Sequence, residues 1–209
     1  MIMFEAWPKT PRLNKAGSMI ITEKIDGTNA CVVIMPVTEV EAEVSDHDAV
    51  SYNDQHFEVG AQSRKRLITP ENDNAGFARW VHENANQLVQ LLGPGRHFGE
   101  WWGQGIQRRY GMDRKVFSLF NSHRWEPAAE HFRSLNIGLD VVPVLYKGSF
   151  DSTEIQDTID NLAFNGSEAT LPYNVRFDKP EGVIIYHQEL RGNLKAFVEN
   201  DDVPKGLQT

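Results

Sequence analysis

The stretch Glu23-Lys24-Ile25-Asp26-Gly27-Thr28-Asn29 follows an apolar, β-prone run, Met19-Ile20-Ile21-Thr22, and leads into a second run from Ala30 to Met35. Two short strands bending around Lys24 to Gly27 would set the lysine amine at the floor of a groove. Alternation along an extended segment would place Lys24 and Asp26 on the same side. A lysine held in this way is a candidate covalent nucleophile. Taken alone, the same residues also describe a solvated lysine–aspartate pair at a hairpin bend, so the rest of the chain must decide.

A chain of 209 residues is long enough for one well-buried core and short for two. No apolar run reaches membrane-spanning length, and the amino terminus lacks the basic start and apolar stretch of a signal peptide. The single cysteine, Cys31, lies in an apolar run and reads as a small core residue. One cysteine excludes a disulfide scaffold and a four-cysteine zinc module, and a reducing cytoplasm is the simplest compartment. The formal charge of −8 argues against a general nucleic-acid coat. The cations are nevertheless clustered, at Arg64-Lys65-Arg66, Arg108-Arg109 and Arg114-Lys115, while acids gather from Glu39 to Asp54 and at Asp201-Asp202. Each basic cluster alone reads as a solvated face; together, such separated fields would steer a polyanion to one side of the molecule.

Strand-like runs fall near 19–24, 29–35, 57–62, 96–101, 115–120, 139–146, 182–187 and 193–198, each bounded by Gly, Pro, Asn or Asp. Helical spacing of Phe77, Trp80, Val81, Leu88, Leu91 and Leu92 predicts a helix from about Gly76 to Leu92, ended by Gly93-Pro94. A second helix is expected over Pro127 to Leu135. A third starts after Asp151, where Glu154 completes a capping-box pattern, and runs to Phe164. The acidic stretch 38–56 reads as a surface hairpin or loop. Many strands with a few interposed helices predict an α+β fold built on antiparallel sheets.

Three later segments carry unusual chemistry. In His97-Phe98-Gly99-Glu100-Trp101-Trp102-Gly103-Gln104-Gly105-Ile106-Gln107, a carboxylate sits among aromatics before a glycine-rich turn. Such an acid needs a cation or metal, and Arg108 or Arg109 would serve in a purely structural pairing. Trp101 and Trp102 read as one base-stacking ring and one groove wall. Glu181, in Pro180-Glu181-Gly182, precedes a β-branched strand and so lies at a strand mouth, an ordinary junction when taken alone. Gly192-Asn193-Leu194-Lys195-Ala196-Phe197 is a late strand with one lysine between apolar neighbours, most simply an outward-facing charge.

Together these segments resemble the covalent nucleotidyltransferase superfamily, and within it the nick-sealing ATP-dependent RNA ligases of phages and kinetoplastids. That family carries K-x-D/H-G-T-N, matched by Lys24 to Asn29, and an arginine in a basic strand-loop, resembled by Gln62-Ser63-Arg64. Its F-G-E-x-x-G-x-G-I-Q segment is matched from Phe98 to Gln107, and its adenine-stacking aromatic by Phe120. Its E-G strand corresponds to Glu181-Gly182, and its final lysine strand to Leu194-Lys195, so the order and spacing fit across residues 18–198.

The resemblance implies an α+β nucleotidyltransferase (ATP-grasp-like ligase) domain of antiparallel sheets flanked by a few helices. It also implies one minimal domain over residues 1–209, with no separate carboxy-terminal domain. The implied substrates are ATP, with Mg²⁺ or Mn²⁺, and RNA with 5′-phosphate and 3′-hydroxyl ends, as in a nicked duplex; no membrane is involved. Lys24, Asp26 and Lys195 are the implied catalytic residues. Glu23, Asn29, Arg64, Glu100, Phe120, Glu181 and Lys195 are the implied nucleotide contacts, with Glu100 and Glu181 as metal ligands, although Glu100 alternatively holds the ribose hydroxyls. Lysine must lose a proton to attack, and Lys195, Arg64 or a bound metal would favour the neutral amine.

The likeness departs in two places. The family's last motif usually has two lysines in a K-x-K pattern, and here Phe197 takes the second position. Arg191, Lys147 or Lys205 would have to supply the missing charge. Many relatives also have a further carboxy-terminal domain that engages RNA ends, a role a helper subunit would fill here. Two alternatives therefore stand beside an RNA ligase: a minimal DNA ligase, and a degenerate member that binds adenylate or RNA ends without completing ligation. A capping enzyme is disfavoured because no arginine follows soon after Lys24-Ile25-Asp26-Gly27, and NAD because its ligases add a cysteine-based zinc module.

Overall fold

The computed structural model describes residues 17–43 and 48–198, whose elements begin and end largely at the sequence's Gly, Pro, Asn and Asp. In chain order they are β1 (Ser18–Lys24), β2 (Thr28–Val37), α1 (Glu39–Glu43), β3 (Asp48–Tyr52), β4 (Gln55–Ser63), β5 (Leu67–Ile68), α2 (Phe77–Glu83), α3 (Ala85–Leu92) and β6 (Gly95–Gly103). There follow β7 (Lys115–Leu119), α4 (Ser122–Trp125), α5 (Ala129–Ser134), β8 (Leu139–Val141), β9 (Val144–Ser149), α6 (Ser152–Asn165), β10 (Gly182–His187) and β11 (Gly192–Phe197). The fold is α+β, as the sequence predicts.

The described residues divide into two compact units. The first takes 17–24, 144–166 and 178–198; the second takes 25–43, 48–143 and 167–177.

The first unit is a four-stranded antiparallel sheet, ordered β11-β10-β1-β9. Met19, Ile21, Val183 and Ile185 project from one face and bury against Leu162 of α6. Ile21 and Val183 are fully buried, and each contributes on the order of 1.5–3 kcal/mol. Helix α6 starts where the sequence predicts, with the Asp151 carboxylate accepting from the Thr153 N–H at 2.7 Å.

The second unit is a sheet ordered β3-β4-β2-β6-β7-β8, with β5 paired to β4. Its strand pairs are antiparallel except β7 and β8, which are parallel and joined through α4 and α5. One face carries Ala30, Val32, Ile34, Val59, Trp101 and Phe117, which pack with Phe77, Val81 and Leu88 of α2 and α3. A second cluster gathers Ile25, Trp102, Tyr110, Met112, Val116, Val142 and Ala169.

Several details differ from the sequence reading. β1 and β2 do not form a hairpin; the chain leaves one sheet at Lys24 and enters the other at Thr28. The predicted strand 139–146 is two strands in different sheets, because Pro143 lies between them and has no N–H to donate to a ladder. The helix expected over 76–92 breaks at Asn84, whose side-chain amide donates to the Trp80 carbonyl at 2.7 Å and competes with helix continuation. Within the acidic stretch, α1 precedes a β3–β4 hairpin that turns on Asn53 and Asp54, both at positive φ (50° and 58°). Lys205 and the Asp201-Asp202 pair lie outside the described residues.

Candidate functional site

In the first unit, register assembles the lysine's surroundings. Lys24 pairs with Gly182 across β1 and β10, and Gly182 pairs with Phe197 across β10 and β11. The three form one row, so their side-chain positions share a face. Gly182 keeps the row open, since a Cβ there would lie 2.8 Å from the Phe197 Cα. Glu181, one residue before β10, brings its Oε2 to 2.5 Å from the Lys24 Nζ. That carboxylate is nearly enclosed, with 2 % side-chain exposure, while the lysine side chain keeps 22 %. The amine also stands 5.5 Å from the centre of the Phe197 ring, and the Lys195 Nζ stands 5.2 Å from the same ring. The Phe197 ring therefore stands beside two ammonium groups, an attractive arrangement where a second lysine would be repelled.

Glu23 alternates to the opposite face of β1 from Lys24 and is 1 % exposed. Its side chain does not join the lysine row. The proximity of Lys24, Glu181 and Lys195 is thus a property of one sheet, and their spacing follows from strand register.

The second unit organises the residues after the lysine. β1 ends at Lys24, so strand alternation does not carry Asp26 to the lysine's side as expected. Instead the Asp26 N–H donates to the Tyr110 hydroxyl at 2.8 Å, and its carboxylate accepts from Arg108 Nε at 3.2 Å. The Gly27 N–H donates to Glu100 Oε1 at 3.1 Å. Gly27 must be glycine for a steric reason: a Cβ would come 2.5 Å from the Trp101 carbonyl oxygen and 2.8 Å from the Trp102 Cβ.

Asn29, Glu100 and Ser118 form a row across β2, β6 and β7. Glu100 is buried and Asn29 exposed. Behind the row, Trp102 Nε1 donates to the Ser118 hydroxyl at 2.9 Å. Asp140, opposite Ser118 on β8, bonds to Arg133 at 2.9 Å and to the Tyr173 hydroxyl at 2.8 Å. Burial pushes the Asp140 carboxyl above its ordinary range against the pull of those donors, and burial beside Asp140 pushes the Tyr173 phenol up as well. Phe120, one residue beyond β7, is 41 % exposed, and its N–H donates to the carbonyl of Phe98, which is 53 % exposed. Arg64 lies in the exposed turn after β4, next to Ser63, which pairs with Ala30.

Three expectations change here. Trp101 and Trp102 are both core residues, 2 % and 0 % exposed, because each indole N–H is satisfied inside the protein. Lys115 is half-buried and donates to the Ala75 carbonyl, while Arg114 stays exposed and bonds to Asn136. Arg108, one of the two arginines offered as a structural partner for Glu100, pairs with Asp26. Tyr110 escaped the sequence reading; its only signal was an aromatic inside the Gly- and Arg-rich stretch that follows Gln107.

Among the described residues no group of three or more His, Cys, Asp or Glu side chains gathers as a metal cage. Mg²⁺ or Mn²⁺ carried on phosphates needs only one or two protein carboxylates, so a cage of that kind is not required of such a site.

Comparison with known proteins agrees with this architecture. None of the curated proteins searched matched the chain. Among solved structures, a Naegleria gruberi RNA ligase variant with ATP and Mn superposes with a TM-score of 0.55 at 18% identity, over 88% of this chain and 50% of that one. The same ligase with PPi gives a TM-score of 0.51 at 19% identity, over 88% and 50%. A further variant with ATP and Mn gives 0.52 at 18% identity, over 90% and 52%. The chain thus shares the RNA ligase fold while spanning about half the length of those proteins. The sequence model described as RNA ligase matches residues 17–201, and the chain belongs to the RNA ligase family.

Proposed function

We propose that this chain is an ATP-dependent RNA ligase that works through a lysyl-adenylate on Lys24. The observation that carries the reading is the Lys24 amine held 2.5 Å from the enclosed Glu181 carboxylate, in a chain of this family. The Lys24 amine attacks the α-phosphate of ATP, a phosphorus–nitrogen bond forms, and pyrophosphate leaves. AMP then passes to an RNA 5′-phosphate, and an RNA 3′-hydroxyl attacks the activated end and releases AMP.

In the first unit, Glu181 orients the amine, and Lys195 meets the charge of the phosphates. In the second unit, Phe120 stacks on adenine, Arg64 and Asn29 contact the nucleotide, and Asp26 serves a later step. Glu100 and Glu181 would hold Mg²⁺ or Mn²⁺, which neutralises phosphate charge when bound. RNA with 5′-phosphate and 3′-hydroxyl ends is the partner, met in the cytoplasm.

The test is retention of label from ATP marked at the α-phosphate, read on a denaturing gel with divalent metal. Wild type should retain label, and Lys24→Ala should lose it by on the order of a thousandfold or more. Absence of label from wild type under any metal would reject the enzyme in favour of an adenylate- or RNA-end-binding protein, the reading that Phe197 motivates. Nicked RNA and DNA duplexes then identify the strand that accepts AMP and is sealed. Because the Arg64-Lys65-Arg66 turn is exposed, sealing should weaken more steeply with salt than lysyl-adenylate formation does.

A further inference from the structure

We propose that Tyr110, seconded by Arg108, is a positioning residue that braces the segment Ile25–Gly27 immediately after Lys24. The catalytic meaning of the brace rests on the ligase reading above. Each of the three residues is tied down separately. Ile25 is buried in the cluster that contains Trp102 and Tyr110. Asp26 gives its N–H to the Tyr110 hydroxyl and its carboxylate to Arg108. Gly27 gives its N–H to Glu100.

Tyr110 is built to hold one orientation. Its ring is fully buried, meets Trp102 edge-on at 5.2 Å and lies 4.6 Å from Phe177. The backbone that delivers it is unusual. Gln107, Arg109 and Tyr110 all adopt positive φ, at 43°, 60° and 52°, followed by Gly111 at 68°. Such conformations are unfavourable for residues with a Cβ and persist where the surroundings over-determine them. Here the strained turn brings a hydroxyl and a guanidinium to the same aspartate.

A side chain with no exposed surface cannot touch ATP, so Tyr110 acts through Asp26. The link that leaves the nucleophile is short, and fixing its backbone restricts where the lysine's own Cα can go. The brace should therefore govern how often the amine is aligned for attack and leave nucleotide affinity alone.

The test compares wild type with Tyr110→Phe, which keeps the ring and removes only the hydroxyl, and with Arg108→Gln at a side chain one-third exposed. Hydrogen exchange of peptides covering 25–30 is measured beside the rate and KM of self-labelling with ATP. In Tyr110→Phe we expect exchange there to quicken and labelling at saturating ATP to slow, each about tenfold, as for a buried donor left unpaired. KM should hold, and the melting temperature should fall by only a few degrees. Arg108→Gln should slow labelling less, and the double variant should fall short of the product of the two, because both act on Asp26. Unchanged exchange, faster exchange without slower labelling, or a raised KM at full rate would each overturn the brace. A wild type that takes no label would overturn the ligase reading alone, and exchange would still decide the brace.

Discussion

Lys24 and the residues just after it are held by different means. The lysine side chain meets a carboxylate and an aromatic ring in the first unit, and it keeps a fifth of its surface open. Asp26 and Gly27, in the second unit, are gripped through backbone N–H groups by partners that are buried. Side-chain pairs of the first kind can exchange partners when a nucleotide arrives. Backbone bonds to enclosed groups cannot do so without local unfolding. The contrast gives the Lys24 side chain exchangeable contacts and the backbone that follows it fixed ones.

Removing the exchangeable partner should have the largest effect. Glu181→Gln keeps the side chain's shape and removes its charge, and we expect lysyl-adenylate formation to slow on the order of a hundredfold. The melting temperature should hardly change. A rate within twofold of wild type, measured under single turnover, would break the distinction.

The fixed side of the contrast should respond in stability instead. Gly27→Ala drives a methyl group against the Trp101 carbonyl, and we expect a loss of about 1–3 kcal/mol from the urea midpoint. A variant as stable as wild type would mean that the segment gives way and is not gripped.

The smallest effect concerns the network behind Ser118. Because burial raises the Asp140 carboxyl above its unfolded value of 3.8, the folded chain binds that proton more tightly than the unfolded chain does. The stability this contributes is complete below pH 3.8 and is lost as pH rises through the raised folded value. Melting temperatures recorded across that window should fall in wild type, and Asp140→Asn should flatten that part of the slope. Parallel curves for the two proteins would exclude Asp140 as the source.

Much of the fold was legible because strands and their boundaries are local properties. The runs near 19–24, 182–187 and 193–198 became β1, β10 and β11 with shifts of a residue or so. Partner choice was not legible. The apolar runs flanking Lys24 looked like a hairpin, since nothing in their alternation says that β1 pairs with β10 and β9, or β2 with β4 and β6. Fates of polar and aromatic side chains were also hidden. Nothing local tied Lys115 to the Ala75 carbonyl, and the tryptophans read as a base-stacking ring and a groove wall until their N–H partners appeared. Tyr110 was invisible for the same reason: its role lies in a bond to a residue 84 positions away.

The 157 positions that separate Lys24 from Glu181 also matter while the protein is being made. The lysine leaves the ribosome before Glu181 does, and β1 must wait for β10 and β11, the last strands described, before its row exists. A chain that stops short of β10 therefore carries Lys24 without the carboxylate that stands beside it. Under the mechanism proposed above, such fragments would be inert toward ATP, and the order of synthesis itself would guard against unfinished copies becoming modified.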